Sequence, residues 1–210
     1  MDITEIIQHQ HDEQRRMFAY LEQWPRDDHD GLGAVWERLA IFLETHAEAE
    51  EKYFYPELLR LGTGGADAES VDEEVGDAVK DHNQIRQAVR AADDHEVGSD
   101  GWWTAVVDAN VHNSDHMGEE ERQDLADFRQ QASLELRHEI ALKFIRYQSQ
   151  KAAGGIKPVD KDPQEFVADR GAGPETDSEK SAAEMAEEAA EGRPTTGTGE
   201  TKTSSKEAAS

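Results

Sequence analysis

The sequence contains no cysteine. Disulfides, thiolate ligands, iron–sulfur clusters and cysteine nucleophiles are thereby excluded. Basic residues are scarce: 22 Lys and Arg stand against 47 Asp and Glu, for a formal charge of -25. A field of that sign repels phosphate backbones and anionic bilayers, so neither nucleic acid nor a membrane surface is an expected partner. Long apolar runs are also missing, and no window approaches the ~20 residues that span a bilayer. The opening MDITEIIQHQHDEQRR lacks a basic region followed by an apolar stretch. It does not read as a secretory signal, and the cytoplasm is the expected compartment. A monomer is expected rather than an obligate oligomer.

What is present is mostly helical. The first helix is expected from Asp2 or Thr4, with Ile3, Ile7, Phe18 and Leu21 on one face, and Trp24-Pro25 stops it. A second runs from about Ala34 to Leu61, with Pro56 kinking it or marking a locally loosened turn. After a GTGGAD loop a third is expected from about Ala68 to Ala92, with Val75, Val79, His82, Ile85 and Val89 facing inward. A fourth begins at Trp102 and continues through Phe128. The stretch from Ser133 to Gln150 either continues it or forms a short fifth helix; continuation is favoured because neither proline nor glycine interrupts. The expected fold is therefore all-α, an up-down-up-down four-helix bundle over residues 1–150. Residues 151–170 are expected to lie along its surface. From about Gly171 the composition is Gly, Pro, Ser, Thr, Ala and Glu, which cannot bury enough surface to offset ordering entropy. Residues 171–210 are expected to be a disordered acidic tail.

The core pattern of the second helix runs Leu39, Phe42, His46, Glu50, so a histidine and a glutamate stand where leucines belong. A buried carboxylate without a partner would rather take up a proton. The reason for keeping it lies in a repeat. HDEQR at 11–15 is echoed by HNQIR at 82–86, and His46-x-x-x-Glu50-Glu51 by His116-x-x-x-Glu120-Glu121. The gap is 35 residues from His11 to His46 and 34 from His82 to His116. One helical hairpin is thus written twice.

The heights agree. His11 lies 13 residues before Trp24 and His46 13 after Gly33; His46 lies 15 before Leu61 and His82 15 after Asp67. The fourth helix fits less tightly, with His82 ten before Ala92 and His116 fourteen after Trp102. Histidines and glutamates from all four helices are expected in one layer. In each His-x-x-x-Glu the two side chains share a face one turn apart, so glutamates from opposite hairpins can bridge two metals. Bound metal keeps the glutamates ionised and the histidines neutral. Metal identity is left open by the spacing, since imidazole suits iron, zinc and copper and carboxylate suits harder ions such as manganese.

Single histidines carry less. A lone inward histidine is usually a satisfied core residue. His112, one turn before His116, is either an additional ligand or a boundary residue hydrogen-bonded to a neighbour. His9, His29, His95 and His138 receive no role. Tyr53, two turns from His46, either lines a pocket or packs in the core. Arg15 and Arg86 either orient carboxylates or pair on the surface. Glu51 and Glu121 are expected to be exposed.

The set His11, His46, Glu50, His82, His116 and Glu120, with EEKYFYPEL after the first pair, resembles the hemerythrin-like HHE cation-binding domain over residues 1–150. The second copy departs from the pattern, with ERQDLADF in place of the aromatic-proline ending. The resemblance implies two iron ions in a non-haem di-iron centre. It also implies an open iron position where dioxygen, peroxide or nitric oxide binds, in oxygen and oxidative-stress handling. A catalase-like or peroxidase-like enzyme, and an iron or oxygen sensor whose metal occupancy sets bundle stability, are its alternatives. A ferritin-type bundle would carry Glu-x-x-His on two helices and lone glutamates on the others. Here the order is reversed and the lone residues are histidines.

Overall fold

The computed structural model describes residues 1–64 and 70–152. The expected surface extension and acidic tail lie outside the described residues, as does part of the loop before the third helix. Among the described residues there is no strand, and no helix is long and apolar enough to cross a membrane.

Helix α1 spans Ile3–Gln23, with the Asp2 carboxylate accepting from the Thr4 backbone N–H at its start. It ends at Trp24, whose ψ of 145° is the extended backbone imposed by the following proline. Helix α2, His29–Ala49, is capped by Asp28, which accepts from the Gly31 N–H and the Trp24 indole. It begins earlier than the sequence pattern suggested, because that cap precedes the apolar run. Helix α4, Val71–Asp93, is capped by Ser70, and α5, Asp100–Arg122, by Ser99.

Between α2 and the short α3 (Tyr55–Leu61) the chain widens into a π-helical turn, Glu50–Phe54. Pro56 explains it. Proline has no N–H to donate and its ring crowds the carbonyl one turn back, so the regular ladder cannot run through it. The Tyr55 N–H instead reaches five residues back to the Glu50 carbonyl. The loosened turn expected at Pro56 thus lies immediately before it, and begins at Glu50.

The second hairpin breaks at the matching place without a proline. Helix α5 stops at Gln123, where φ is -110° and ψ -74°, and α6 resumes over Asp124–Gln131. The expected run from Trp102 through Phe128 is therefore two helices. The favoured continuation beyond it does not occur: Ala132 is extended, and the Ser133 hydroxyl caps a new helix, α7, over Leu134–Ala152. Serine at an N-cap ends one helix and starts the next as effectively as glycine or proline.

Helices α1, α2, α4 and α5 pack pairwise around a common axis, and α7 lies against α1, α2 and the wide turn. Two apolar clusters fill the interior. One holds Ile3, Ile7, Phe54, Leu58, Phe128 and Phe144, the other Phe18, Leu32, Trp36, Leu39, Ile85 and Trp102. Each such side chain contributes about 1.5–3 kcal/mol on burial. Between the clusters, in every helix of the bundle, sits a histidine: His11 between Ile7 and Phe18, His46 between Leu43 and Phe54, His82 between Ala78 and Ile85, and His116 between Ala109 and Leu125.

Candidate metal centre

All four histidines and both glutamates predicted from the repeat are 0–3 % exposed. They converge on one layer. The ring centres of His11 and His46 are 5.1 Å apart, those of His82 and His116 4.5 Å, and His11 lies 6.3 Å from His116. Their donor atoms form two groups whose members lie within 4.8 Å of one another: His11, His46, Glu50 and Glu120, and Glu50, His82 and His116. Glu50 belongs to both. One of its carboxylate oxygens is 2.8 Å from His46 Nε2 and the other 3.4 Å from His82 Nε2. Glu120 reaches across less evenly, with Oε2 at 3.1 Å from His11 Nε2 and 3.9 Å from His116 Nε2.

These approaches become hydrogen bonds only where an imidazole carries a second proton. The Nε2 atoms of His11 and His46, both oxygens of Glu50 and Oε2 of Glu120 are buried with no hydrogen-bond partner. Orphaned buried polar atoms are rare, because each forfeits its hydration. Here they face one another, which is the donor set a cation requires. His82 Nε2 and His116 Nε2 also confront each other at 3.1 Å. Two imidazole lone pairs meeting in this way repel unless a proton or a metal stands between them.

The opposite ring nitrogens are spoken for, and this fixes the tautomers. His11 Nδ1 lies 3.0 Å from Glu121 Oε1, and His82 Nδ1 3.0 Å from Glu51 Oε1. A carboxylate only accepts, so Nδ1 carries a proton, and whenever the imidazole is neutral Nε2 presents its lone pair to the centre. Each carboxylate is held in turn by the arginine four residues after the histidine: Arg15 Nη2 donates to Glu121 at 2.7 Å, and Arg86 Nη2 to Glu51 at 3.0 Å. The repeat thus extends outward as a pair of His–Glu–Arg relays that link opposite hairpins. Glu51 and Glu121 are half-buried rather than exposed as expected. The signal was already in the repeat, since both follow the inner glutamate directly and both arginines recur at one spacing.

His46 is held differently. Its Nδ1 donates to Gln10 Oε1 at 2.7 Å, and Gln10 exchanges a reciprocal pair of amide hydrogen bonds with Gln148 of α7 at 2.7 and 2.9 Å. The Phe144 ring stands edge-on to His46 at 6.1 Å. Nothing in the amino-acid pattern marked Gln10, because its role depends on where α7 lies.

The two auxiliary candidates fare unevenly. His112 is half-buried and belongs to neither donor group. Tyr53 is half-buried against Tyr147, with ring centres 5.9 Å apart, and it is Tyr55 that reaches the site. The Tyr55 hydroxyl donates to Glu120 Oε1 at 3.2 Å, and its ring lies against His82 at 5.7 Å. The physical reason is the π-helical turn. One extra residue in the turn rotates everything after it by about 100° relative to a regular helix, which moves the inward position off Tyr53.

Burial opposes charging His11 and His82, but their carboxylate neighbours outweigh it and push both up to about 9. Glu50 is held well below the usual carboxylate range: burial favours its neutral form, and His46 and His82 overcome that. His116 is pushed down, first by burial and then by the charge of His82. Without metal, the layer therefore neutralises its own glutamates with two imidazolium ions. Asp124, one turn beyond Glu120, is pushed up to about 9 by burial and by the charges of Glu120 and Glu74. The Tyr55 phenol is raised by burial and by Glu120, so it stays protonated at neutral pH.

Residues 2–129 match the family model of the hemerythrin HHE cation-binding domain. No curated protein and no solved structure matches the chain.

Proposed function

The chain belongs to the hemerythrin HHE cation-binding family, and on that premise we propose that it is a non-haem di-iron protein that binds a small ligand: dioxygen, peroxide or nitric oxide. The observation that carries this reading is the convergence of buried imidazole and carboxylate atoms that satisfy nothing else. His11, His46 and Glu120 would hold one ion, His82 and His116 the other, and Glu50 would span both. Four neutral imidazoles and two carboxylates leave a net charge of about -2 to balance against the metals, a nitrogen-rich set that suits iron and also accommodates zinc or manganese. Iron bound there would supply a centre able to exchange electrons with such ligands.

The chain's own residues do the rest. Glu51 and Glu121 fix the tautomers of His82 and His11 and raise their basicity. The Tyr55 hydroxyl, a protonated phenol beside His82, donates its one hydrogen to Glu120 and so orients that carboxylate. The apolar clusters on either side restrict water. Metal analysis of natively purified protein with its absorption spectrum tests the reading. Two irons per chain and the near-ultraviolet absorption of a ligand-bridged ferric pair are expected; absence of stoichiometric metal would sink it. Catalase-like turnover is separated by oxygen evolution from peroxide, which should exceed that of His46→Ala if the centre is an enzyme.

A sensing role is favoured by one observation, the contact of α7 with His46 through Gln148 and Phe144. If metal occupancy is passed on through α7, proteolysis of the chain beyond Gly154 should differ with and without iron. Equal cleavage would remove that reading.

A further inference from the structure

A cavity of ≈ 210 Å³ opens between α4 and the α5–α6 junction. Glu73, Glu74, Asp77 and Asp81 line it from α4, and Glu119 and Asp124 from the facing side. Asp77 and Glu119 are exposed, Asp81 is half-buried and Asp124 is buried, so the acids run from solvent inward. At the buried end the lining residues are His116 and Glu120, both members of the candidate centre. Acidic lining alone would mark only a solvated face. What points to a cation is that this cavity is lined by Glu120, 1 % exposed, whose Oε2 makes no hydrogen bond and faces the imidazoles of His11 and His116 at 3.1 and 3.9 Å.

We propose that this acid-lined cleft is the route by which divalent cations pass from solvent to the metal centre. The proposal rests on the reading of that centre as a metal site and adds how the site is filled. A hydrated divalent ion arriving at the bundle meets Asp77, Asp81 and Glu119 first. Carboxylates in a concave, low-dielectric wall focus the field and raise the local cation concentration. Farther in, carboxylate oxygens replace the ion's waters in steps, so dehydration is not left to one event. Lys80 pairs with Asp77 at 3.5 Å, but its side chain is exposed and free to swing aside.

The cleft conducts rather than retains. Among the described residues, three or more donor atoms come within 4.8 Å of one another only at the centre itself. The cleft acids are spread too widely to trap an ion before it arrives. On the other side the approach to His46 is covered by Phe144 and by the Gln10–Gln148 amide pair. Neutral ligands such as dioxygen gain nothing from an acidic wall, and anions are repelled by it, so the chemistry selects cations.

The test measures cobalt(II) uptake by the full-length, metal-stripped chain in a stopped-flow spectrometer, following the visible absorption that appears on ligation. One variant carries Asp77→Asn, Asp81→Asn and Glu119→Gln. A control with the same change of net charge carries Glu22→Gln, Asp27→Asn and Glu37→Gln, all exposed and outside the cleft lining. At low salt the cleft variant should load about tenfold more slowly than wild type, and the control less than about twofold. Raising the ionic strength to about 0.5 M should close the gap, and all three proteins should reach the same final absorbance. Equal slowing of the two variants, or none in either, overturns the route. A wild-type chain that binds no cobalt overturns the metal-centre reading, and is recognised by its final absorbance rather than its rate.

Discussion

Consider the chain stripped of metal by a chelator and titrated between pH 6 and 10. His11 and His82, ordinarily near 6.5, are pushed up to about 9 in the folded, metal-free protein. A folded-state value above the unfolded one means the stabilisation is fully present below pH 6.5 and is lost as pH rises through 9. The upper limit is about 3 kcal/mol for each histidine. Asp124, also pushed up to about 9, acts in the same direction. Glu50 acts oppositely, since its depressed value stabilises the fold above pH 4.5 and is lost in acid. On these groups the metal-free protein should therefore be most stable near pH 4.5 and lose stability from there toward pH 9, through Asp124 first and through both histidines above pH 6.5. Metal reverses this dependence, because ligation needs the neutral imidazoles. At pH 7, where both are charged in the empty layer, filling the centre should expel about two protons per chain. A third would follow if the ion's field also ionises Asp124, and Asp124→Asn should bring the count back to about two. Zinc titration in weakly buffered solution with a pH indicator counts the protons, and calorimetry at several pH values gives both stabilities. Release of less than about one proton at pH 7 would refute the charge assignment. So would a metal-free melting temperature that climbs between pH 6.5 and 9.

Glu50→Gln should abolish binding of both ions, since Glu50 alone belongs to both donor groups; Glu120→Gln should reduce stoichiometry toward one, as read by metal analysis. Glu121→Ala removes the acceptor for His11 Nδ1 and should weaken metal affinity about 10- to 100-fold in chelator competition, with the helical circular dichroism unchanged. Tyr55→Phe deletes the hydroxyl donor to Glu120 and should lower metal-free stability by about 1 kcal/mol. Tyr53→Phe, at a ring packed on Tyr147 and outside both donor groups, should leave metal binding unchanged. Phe144→Ala opens a hole beside His46 and should cost about 3–5 kcal/mol in denaturant melts.

The six inner side chains were legible because the cost of burying them is high and the repeat wrote them twice. A histidine at one core position says little, whereas two copies of one hairpin with matched heights say where the helices meet. The same logic reached Arg15 and Arg86 but stopped short of Glu51 and Glu121. On a helical wheel a residue next to an inward one points away, so both were expected in water. In the bundle they turn toward the neighbouring hairpin, a relation that no single-helix wheel contains. Tyr55 was missed for a geometric reason: Pro56 announces a disturbed turn, but not that the turn widens and shifts the register. The junction at Ser133 is hidden from the sequence because no glycine or proline marks it, and the break is made by an extended Ala132 and a serine N-cap.

The repeat also explains why the site is symmetric inside and asymmetric outside. Candidate ligands and relays are duplicated, so His11 with Glu121 and Arg15 mirrors His82 with Glu51 and Arg86. The surroundings of the second pair of histidines are not duplicated. α7 has no counterpart in the two hairpins, extends beyond the matched residues 2–129, and closes over His46 with an aromatic ring and an amide pair. His116, its partner in the repeat, instead lies at the buried end of the acidic cleft. Two metal positions built from equivalent ligands would thus differ in hydration and in the charge they face, and those two quantities tune affinity and redox behaviour when ligands are held constant. An evenly duplicated hairpin would hold two ions alike, and the single unrepeated helix would make them unlike.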